Sequence, residues 1–268
     1  MKLKPTATQN HARMAVCYCM LRLASWTFLA LVLAVPISAD ELTVGPQRNY
    51  AIGTGFLISP DGLVLTSRPV VSKCVDLPEV GYVVSGRSKA TVIALGQEID
   101  LALLKTDFRD VPYLRLRAGG VQTALPVVGE MIFTLGIISG EFSATLGEVI
   151  QSDDPEQPLL SEAGSVLELY DGGGGAGAPV VDMTGLLIGI MWGKNPTDDT
   201  KFHILNNAAL HAFLSMHGVP VPTEDLGPHL PRRAEGTAEM KKEIMLGHFT
   251  KIAGVLTKTT VKVACPID

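Results

Sequence analysis

The chain has no surplus of positive charge, few cysteines and no apolar run long enough to read as a membrane helix. Its 268 residues carry 22 Lys and Arg against 27 Asp and Glu, a net charge of −5. No basic patch stands out, so nucleic acid is not an expected partner. Only four cysteines are present. With neither a C-x-x-C spacing nor a histidine-rich tract, no metal site and no cofactor are expected. The apolar run from Leu23 to Val35 covers 13 residues, short of the roughly 20 that a spanning helix needs. No internal repeat is strong enough to predict a solenoid or an array.

What is present begins with that run. Lys2, Lys4, Arg13 and Arg22 come before it, and "PISAD" with small Ala39 follows it. Residues 1–39 therefore read as a secretory signal peptide, with an uncleaved membrane anchor as the alternative. Met14 or Met20 would open a tidier version of the same signal. Export is the expectation, to the periplasm or as a secreted protein, with no stable membrane span once the signal is cleaved. Cleavage takes four basic residues from the 22 and leaves 18 against 27 acidic ones, a net charge of −9. It also removes Cys17 and Cys19. Cys74 and Cys265 then have a single intramolecular pairing in an oxidising compartment, and a disulfide is expected, with two unpaired thiols as the alternative. Closing so long a loop stabilises by at most roughly 5 kcal/mol in the chain-entropy model.

Residues 50–206 are dominated by short apolar runs separated by turn residues. "AIGTGFLISPDGLVLTS" reads as strand, Ser-Pro-Asp-Gly turn, strand, with proline setting φ at the second turn position and Gly62 accepting a positive φ at the fourth. "GYVVSGRSKATVIALGQEIDLALLK" continues the pattern, and "AGGVQTA" makes a boundary before "LPVVGEMIFTLGII", "FSATLGEVIQS", "LLSEAGSVLEL", "APVVD" and "GLLIGIMWG". Many short strands with regular turns predict a sandwich or barrels rather than βαβ units. "NAALHAFLSMH" is the helix candidate, with Leu210 and Leu214 on one face. Residues 222–243 are polar and proline-bearing and read as a linker. Beyond them Met245, Phe249, Ile252 and Leu256 recur at helical spacing, and "TTVKVAC" alternates with Val261, Val263 and Cys265 on one face. That tail either docks back onto the body or frays.

Three of these segments, in this order, resemble the trypsin-like serine proteases, in particular the bacterial HtrA-type branch. "GTGFLISPDGLVLTS" (53–67) is similar to the strand pair that leads into the family's catalytic histidine, and "EIDLALLK" (98–105) to the segment with its aspartate. "GGAGAPVVDMTGLLIGI" (174–190) is similar to its nucleophile loop and the two strands behind it. The resemblance covers roughly residues 50–216. It implies an all-β fold, a chymotrypsin-like double six-stranded β-barrel with a C-terminal helix and tail. The expected divisions are an N-terminal barrel at 45–123, a second barrel with its helix at 124–221, the linker at 222–243 and a helix-strand tail at 244–268. The family often carries a C-terminal PDZ domain, for which the residues after the helix are expected to be too few.

In that family a serine attacks, a histidine takes its proton, and an aspartate holds the histidine in the useful tautomer. Here the Thr-x-x-His-Val-Val segment becomes "TSRPVV", which puts Pro69 at the position of the base. Asp100 keeps the position of the aspartate. Gly-x-Ser-Gly-x-Pro becomes Gly174, Gly175, Ala176, Gly177, Ala178 and Pro179, which puts Ala176 at that of the nucleophile. A proline accepts no proton and a methyl group attacks nothing. His203, His211, His217, His229 and His248 lie far along the chain from position 69, and Ser161 and Ser165 precede the loop, so no substitute is expected. These residues predict a pseudoenzyme rather than an enzyme.

The backbone N–H groups of Gly174 and Ala176 can still form an oxyanion hole, which needs no side chain. Glycines 172–175 fit a loop that approaches a carbonyl or carboxylate, or equally a loop relaxed after catalysis was lost. Asp100 is expected to bond backbone groups near Ser67 and Arg68 or to pair with Arg68. By resemblance, residues 167–171 and 189–193 wall a peptide cleft that Tyr170 and Trp192 floor or close, unless they belong to the core. An open strand edge there is a place for an extended peptide to add. The reading is an exported homologue that binds a polypeptide or partner protein without cleaving it. The alternatives are a serine-type endopeptidase with an unorthodox nucleophile and a structural or assembly module acting through the tail. No residue pattern names the partner or an oligomeric state.

Overall fold

The computed structural model of the chain describes residues 49–82, 86–118, 125–151, 165–170, 174–221, 223–224 and 238–267. The predicted signal peptide (1–39), most of the predicted linker, residues 171–173, Ser161 and His229 lie outside them. Strand β1 (Asn49–Leu57) turns into β2 (Leu63–Ser67). Gly62 donates to the Ser59 carbonyl and has φ of 79°. A side chain there would strike the Thr106 hydroxyl, which donates to the Gly62 carbonyl at 2.8 Å. Ser67 then leads into a single helical turn, α1 (Arg68–Val71), with Pro69 in its first turn, where a missing N–H costs no hydrogen bond.

The first barrel continues with β3 (Glu79–Tyr82), β4 (Arg87–Leu95) and β5 (Leu101–Thr106). These five strands come from residues 49–106. The sixth is β14 (Thr260–Ile267), inserted between β1 and β3 to close the order β1-β14-β3-β4-β5-β2. Asn49 pairs with Ile267 and Phe56 with Thr260, so the whole of β14 is antiparallel to β1. The segment 244–268 thus supplies the strand that residues 45–123 lack. Val261, Val263 and Cys265 are fully buried, as period-2 alternation requires.

The second barrel is built from β7 (Met131–Ile138), β8 (Glu141–Gln151), β9 (Ser165–Leu169), β12 (Lys201–Asn206), β11 (Leu187–Lys194) and β10 (Pro179–Asp182). It closes where β10 pairs with β11. Two short strands, β6 (Leu116–Arg117) and β13 (Thr223–Glu224), extend the sheet beyond β11. The all-β double barrel expected from the sequence is the fold observed.

The near-continuous apolar runs follow from burial on both faces. In β5, Ala102 and Leu104 point into the first barrel with Leu57, Val64, Val80, Val261 and Val263, while Leu101 and Leu103 join a core shared between the barrels. The second barrel contributes Phe133, Leu135, Val181, Leu187 and Ile190 to that shared core. Helix α2 (Asn207–Met216) adds Leu210, Phe213 and Leu214. It is capped by Asn206, whose side chain accepts from the Ala209 N–H at 3.1 Å. Helix α3 (Ala238–Thr259) adds Ile252 and Leu256, with Phe249 packed on Phe133 at 6.4 Å between ring centres.

Beside this core lies a buried ionic cluster. Arg117, whose side chain is 2% exposed, pairs with Glu130 and with Asp182 at 3.3 Å. It also donates to the Leu125 carbonyl at 2.8 Å. Among the described residues no helix is long and apolar enough to cross a membrane.

Candidate functional site

The three positions of the triad pattern fall at the junction of the barrels. Pro69 is exposed on α1, Asp100 stands just before β5, and Ala176 is exposed on the loop that leads into β10. Asp100 is fully engaged. One carboxylate oxygen accepts from Arg68, at 3.1 Å from Nε and 2.8 Å from Nη2. The other accepts from the Trp192 indole N–H at 2.8 Å. Arg68 is locked from its other side as well, because Nη1 donates to the Gly96 and Gln97 carbonyls at 3.1 and 3.0 Å. Asp100 therefore joins α1 of the first barrel to β11 of the second. The Arg68 pairing matches one of the two roles expected for Asp100, whereas the Trp192 bond is new.

The glycine loop is held from below. The Thr54 N–H donates to the Ala176 carbonyl at 3.3 Å, Ala178 to Gly175 at 3.0 Å, and Gly177 to Met191 at 2.9 Å. Thr54 is completely buried, and its hydroxyl accepts from the Ile137 N–H at 2.8 Å while its carbonyl accepts from the Thr66 hydroxyl at 2.6 Å. One residue of β1 thus ties β2, β7 and the loop together. Gly177 has φ of 85°, and a side chain on it would run into the Thr54 carbonyl. A side chain on Gly174 would meet Met191. These contacts account for Gly174 and Gly177 by close approach. Among the described residues the N–H groups of Gly174 and Ala176 have no hydrogen-bond acceptor.

The two aromatic residues proposed for the cleft have separate partners. Trp192 is half-buried, and besides Asp100 its ring meets that of His203 edge-on at 6.2 Å. Tyr170 is 50% exposed and donates to Glu148 at 3.4 Å. Partial burial first, then the Glu148 carboxylate, hold its phenol above its ordinary pKa. Cys74 and Cys265 form a disulfide that ties the segment after α1 to β14. No group of three or more His, Cys, Asp and Glu side chains placed to hold a metal occurs among the described residues.

Three further residues stand near the site: Thr54, which the sequence does not single out, and His203 and Ser67, to which it assigns no role there. Thr54 carries no motif of its own, although the glycines on either side allow the close packing it needs. His203 is distant in sequence from position 69, but pairing of β11 with β12 brings it beside Trp192. Ser67 is 1% exposed and its hydroxyl has no hydrogen-bond partner. Its backbone nitrogen lies against Gly177, 3.0 Å from where a Cβ would stand.

A family model described as "trypsin-like peptidase domain" matches residues 53–190. The chain is 30% identical over 161 residues to a "probable periplasmic serine endoprotease DegP-like" of Chlamydia pneumoniae, covering 54% of this chain and 29% of that protein. It is 28% identical over 235 residues to the "uncharacterized protein y4bJ" of Sinorhizobium fredii, covering 74% of this chain and 34% of that one. The chain thus spans about a third or less of the length of these relatives. Among solved structures, the serine endoprotease from Yersinia pestis aligns at 17% identity with a TM-score of 0.50, over 62% of each chain, a likeness of fold. The expectation of a pseudoenzyme is corrected by these findings, because the matched model is a peptidase domain and the DegP-like relatives are named serine endoproteases. The double barrel, the Asp100 contacts with Arg68 and Trp192, and the loop tethered to Thr54 are all in place.

Proposed function

The chain belongs to the trypsin-like peptidase family, and we propose that within it this protein is exported and engages an extended polypeptide at the edge of β11. In this reading the segment is held by the frame of the site, around positions 69 and 176, where Pro69 and Ala176 stand. One observation carries it. Both oxygens of Asp100 are occupied by Arg68 and Trp192, which leaves the aspartate as a brace between the barrels rather than a partner for an imidazole. The tethered loop and the β11 edge support the binding role. Beyond Met191, the strand pairs with β12 through Gly193↔His203 and Lys194↔Phe202. Its opposite edge has no partner strand among the described residues, which is the geometry of β-strand addition. Export is supported by the signal-like residues 1–39 and by the periplasmic naming of the relatives.

A second reading, hydrolysis by another nucleophile, is favoured by the naming of those relatives as serine endoproteases. One experiment separates the two. The full chain and the double substitution P69H/A176S are treated with a fluorophosphonate probe and, separately, mixed with a fluorescent unfolded casein. Casein binding by the native chain with no label, and labelling of the double substitution at position 176, is the expected result. A label on the native chain, mapped by mass spectrometry, would give the nucleophile of the second reading. Neither binding nor label in the native chain would sink both.

A further inference from the structure

We infer that the disulfide Cys74–Cys265 is a redox-sensitive latch on the brace between the barrels. Its reduction by a dithiol undocks α1 and slackens the Arg68–Asp100–Trp192 contacts, and reoxidation restores them, whether or not a polypeptide is bound. The first argument is the weakness of α1 by itself. It is four residues long, and the side chain of Ser67 before it makes no capping hydrogen bond. A single turn fixes several backbone dihedrals for very little hydrogen bonding, so α1 keeps its place only through what holds its inner face and its two ends. The inner face is Val70 and Val71, buried with Val261 and Val263 of β14. The leading end continues from β2, and the Arg68 N–H donates to the Asp100 carbonyl at 3.2 Å.

The second argument is what ties the trailing end. The Ser72 N–H donates to the Arg68 carbonyl at 3.0 Å and the Cys74 N–H to the Val71 carbonyl at 3.2 Å, so Cys74 closes the same turn. The disulfide fixes that point to Cys265 of β14, beside one backbone hydrogen bond from the Val75 N–H to the Pro266 carbonyl at 3.0 Å. Breaking the S–S bond removes the covalent tie and leaves a short turn to its noncovalent contacts. Arg68 stands on that turn and pairs with Asp100, whose other oxygen holds Trp192. A displacement of α1 therefore reaches β11 through one carboxylate.

Access is the third argument. Cys265 is completely buried, but Cys74 is half-buried in a stretch where Ser72, Lys73, Val75, Asp76 and Leu77 are all exposed. A small dithiol meets the bond from the Cys74 side. Its thiolate bonds to the Cys74 sulfur, the S–S bond breaks, and the electron pair leaves on the Cys265 sulfur, which takes a proton. The second thiol of the reductant then bonds to its own sulfur in the mixed disulfide and releases Cys74, which is protonated in turn. Two electrons and two protons pass to the protein, and the dithiol leaves as a cyclic disulfide.

The test uses the full chain, oxidised, then reduced with dithiothreitol under folding conditions, then reoxidised. Alkylation mapped by mass spectrometry follows the thiols of Cys74 and Cys265 separately from Cys17 and Cys19. Two readouts report the brace: backbone amide exchange at residues 68–74, and exchange of the Trp192 indole N–H, whose resonance is assigned by its loss in Trp192→Phe. The expected result is exchange at least about tenfold faster at both on reduction, with the amides of β7, β8 and β9 unchanged and full recovery on reoxidation. The double substitution C74S/C265S should match the reduced chain. Thiols freed with no change at 68–74 or Trp192 overturn the latch. Equal loosening of β7, β8 and β9 overturns it as well, since the disulfide is then a staple of the whole body. A bond that dithiothreitol does not reduce in the folded chain overturns it too.

Discussion

Barrel 2 is closed by strands drawn from one stretch, residues 131–206, whereas barrel 1 takes five strands from residues 49–106 and its sixth from residues 260–267. The two have the same number of strands and a shared core, but they differ in when the chain can complete them. Barrel 2 can close as soon as its own segment is present. Barrel 1 stays open between β1 and β3 until residues 260–267 arrive, and β14 then pairs along β1 from Asn49↔Ile267 to Phe56↔Thr260. A closed sheet needs only the right strands in the right places. Chain order enters through loop closure, whose entropy grows slowly with length. The disulfide Cys74–Cys265 sits on the strand that makes the difference, its cysteines 191 positions apart in sequence.

Removing the late strand is the strongest way to break this comparison. Ending the chain at residue 243 takes away buried Ile252, Leu256, Val261 and Val263. At about 1.5–3 kcal/mol for each fully buried side chain, the loss approaches the whole stability of a typical domain. Hydrogen exchange is expected to show lost amide protection at 49–57 and 79–82, the strands on either side of β14. Protection retained there would mean that barrel 1 does not depend on its sixth strand.

The next effect belongs to barrel 2. Glu130→Gln leaves Arg117 and Asp182 without the carboxylate that completes the buried cluster, and breaking such a cluster costs about 3–5 kcal/mol. Denaturant unfolding should show a loss of that size, and a change under 1 kcal/mol would remove the cluster from the account of barrel 2. Smaller again is the double substitution C74S/C265S, expected to destabilise by about 2–4 kcal/mol. Its exchange signature should be confined to barrel 1. Equal loosening of barrel 2 would show that the disulfide acts on the body as a whole.

The same contrast explains what the residues revealed in advance. Barrel 2 and the first five strands of barrel 1 were legible because each is a local run bounded by turn residues, such as Ser59-Pro60-Asp61-Gly62. The alternation of Val261, Val263 and Cys265 announced a strand, but nothing local says which barrel a strand joins. That is decided by pairing with residues some 200 positions away. At the site, Pro69, Asp100 and Ala176 were picked out because each falls in one of three segments that resemble a family motif. Trp192 and His203 were not connected to Asp100, since the contact arises only when β11 and β12 pair and the barrels dock. Thr54 was invisible because its partners, Ile137 and Ala176, lie 83 and 122 residues along the chain.

Thr54 also gives the finest test, because it lies where the barrels meet rather than within either. Thr54→Val keeps the branched shape in a fully buried place but deletes the oxygen that accepts from the Ile137 N–H. A buried donor left without its acceptor costs about 1–3 kcal/mol. The loss should be smaller than for the cysteine pair, since only one hydrogen bond goes and the backbone tether from Thr54 to Ala176 does not involve the side chain. Exchange should rise at Ile137 in barrel 2 and at residues 174–178, with β14 unaffected. If β14 loosens as well, the seam and the late strand are one cooperative unit, and the distinction between an early and a late barrel no longer holds for the finished protein.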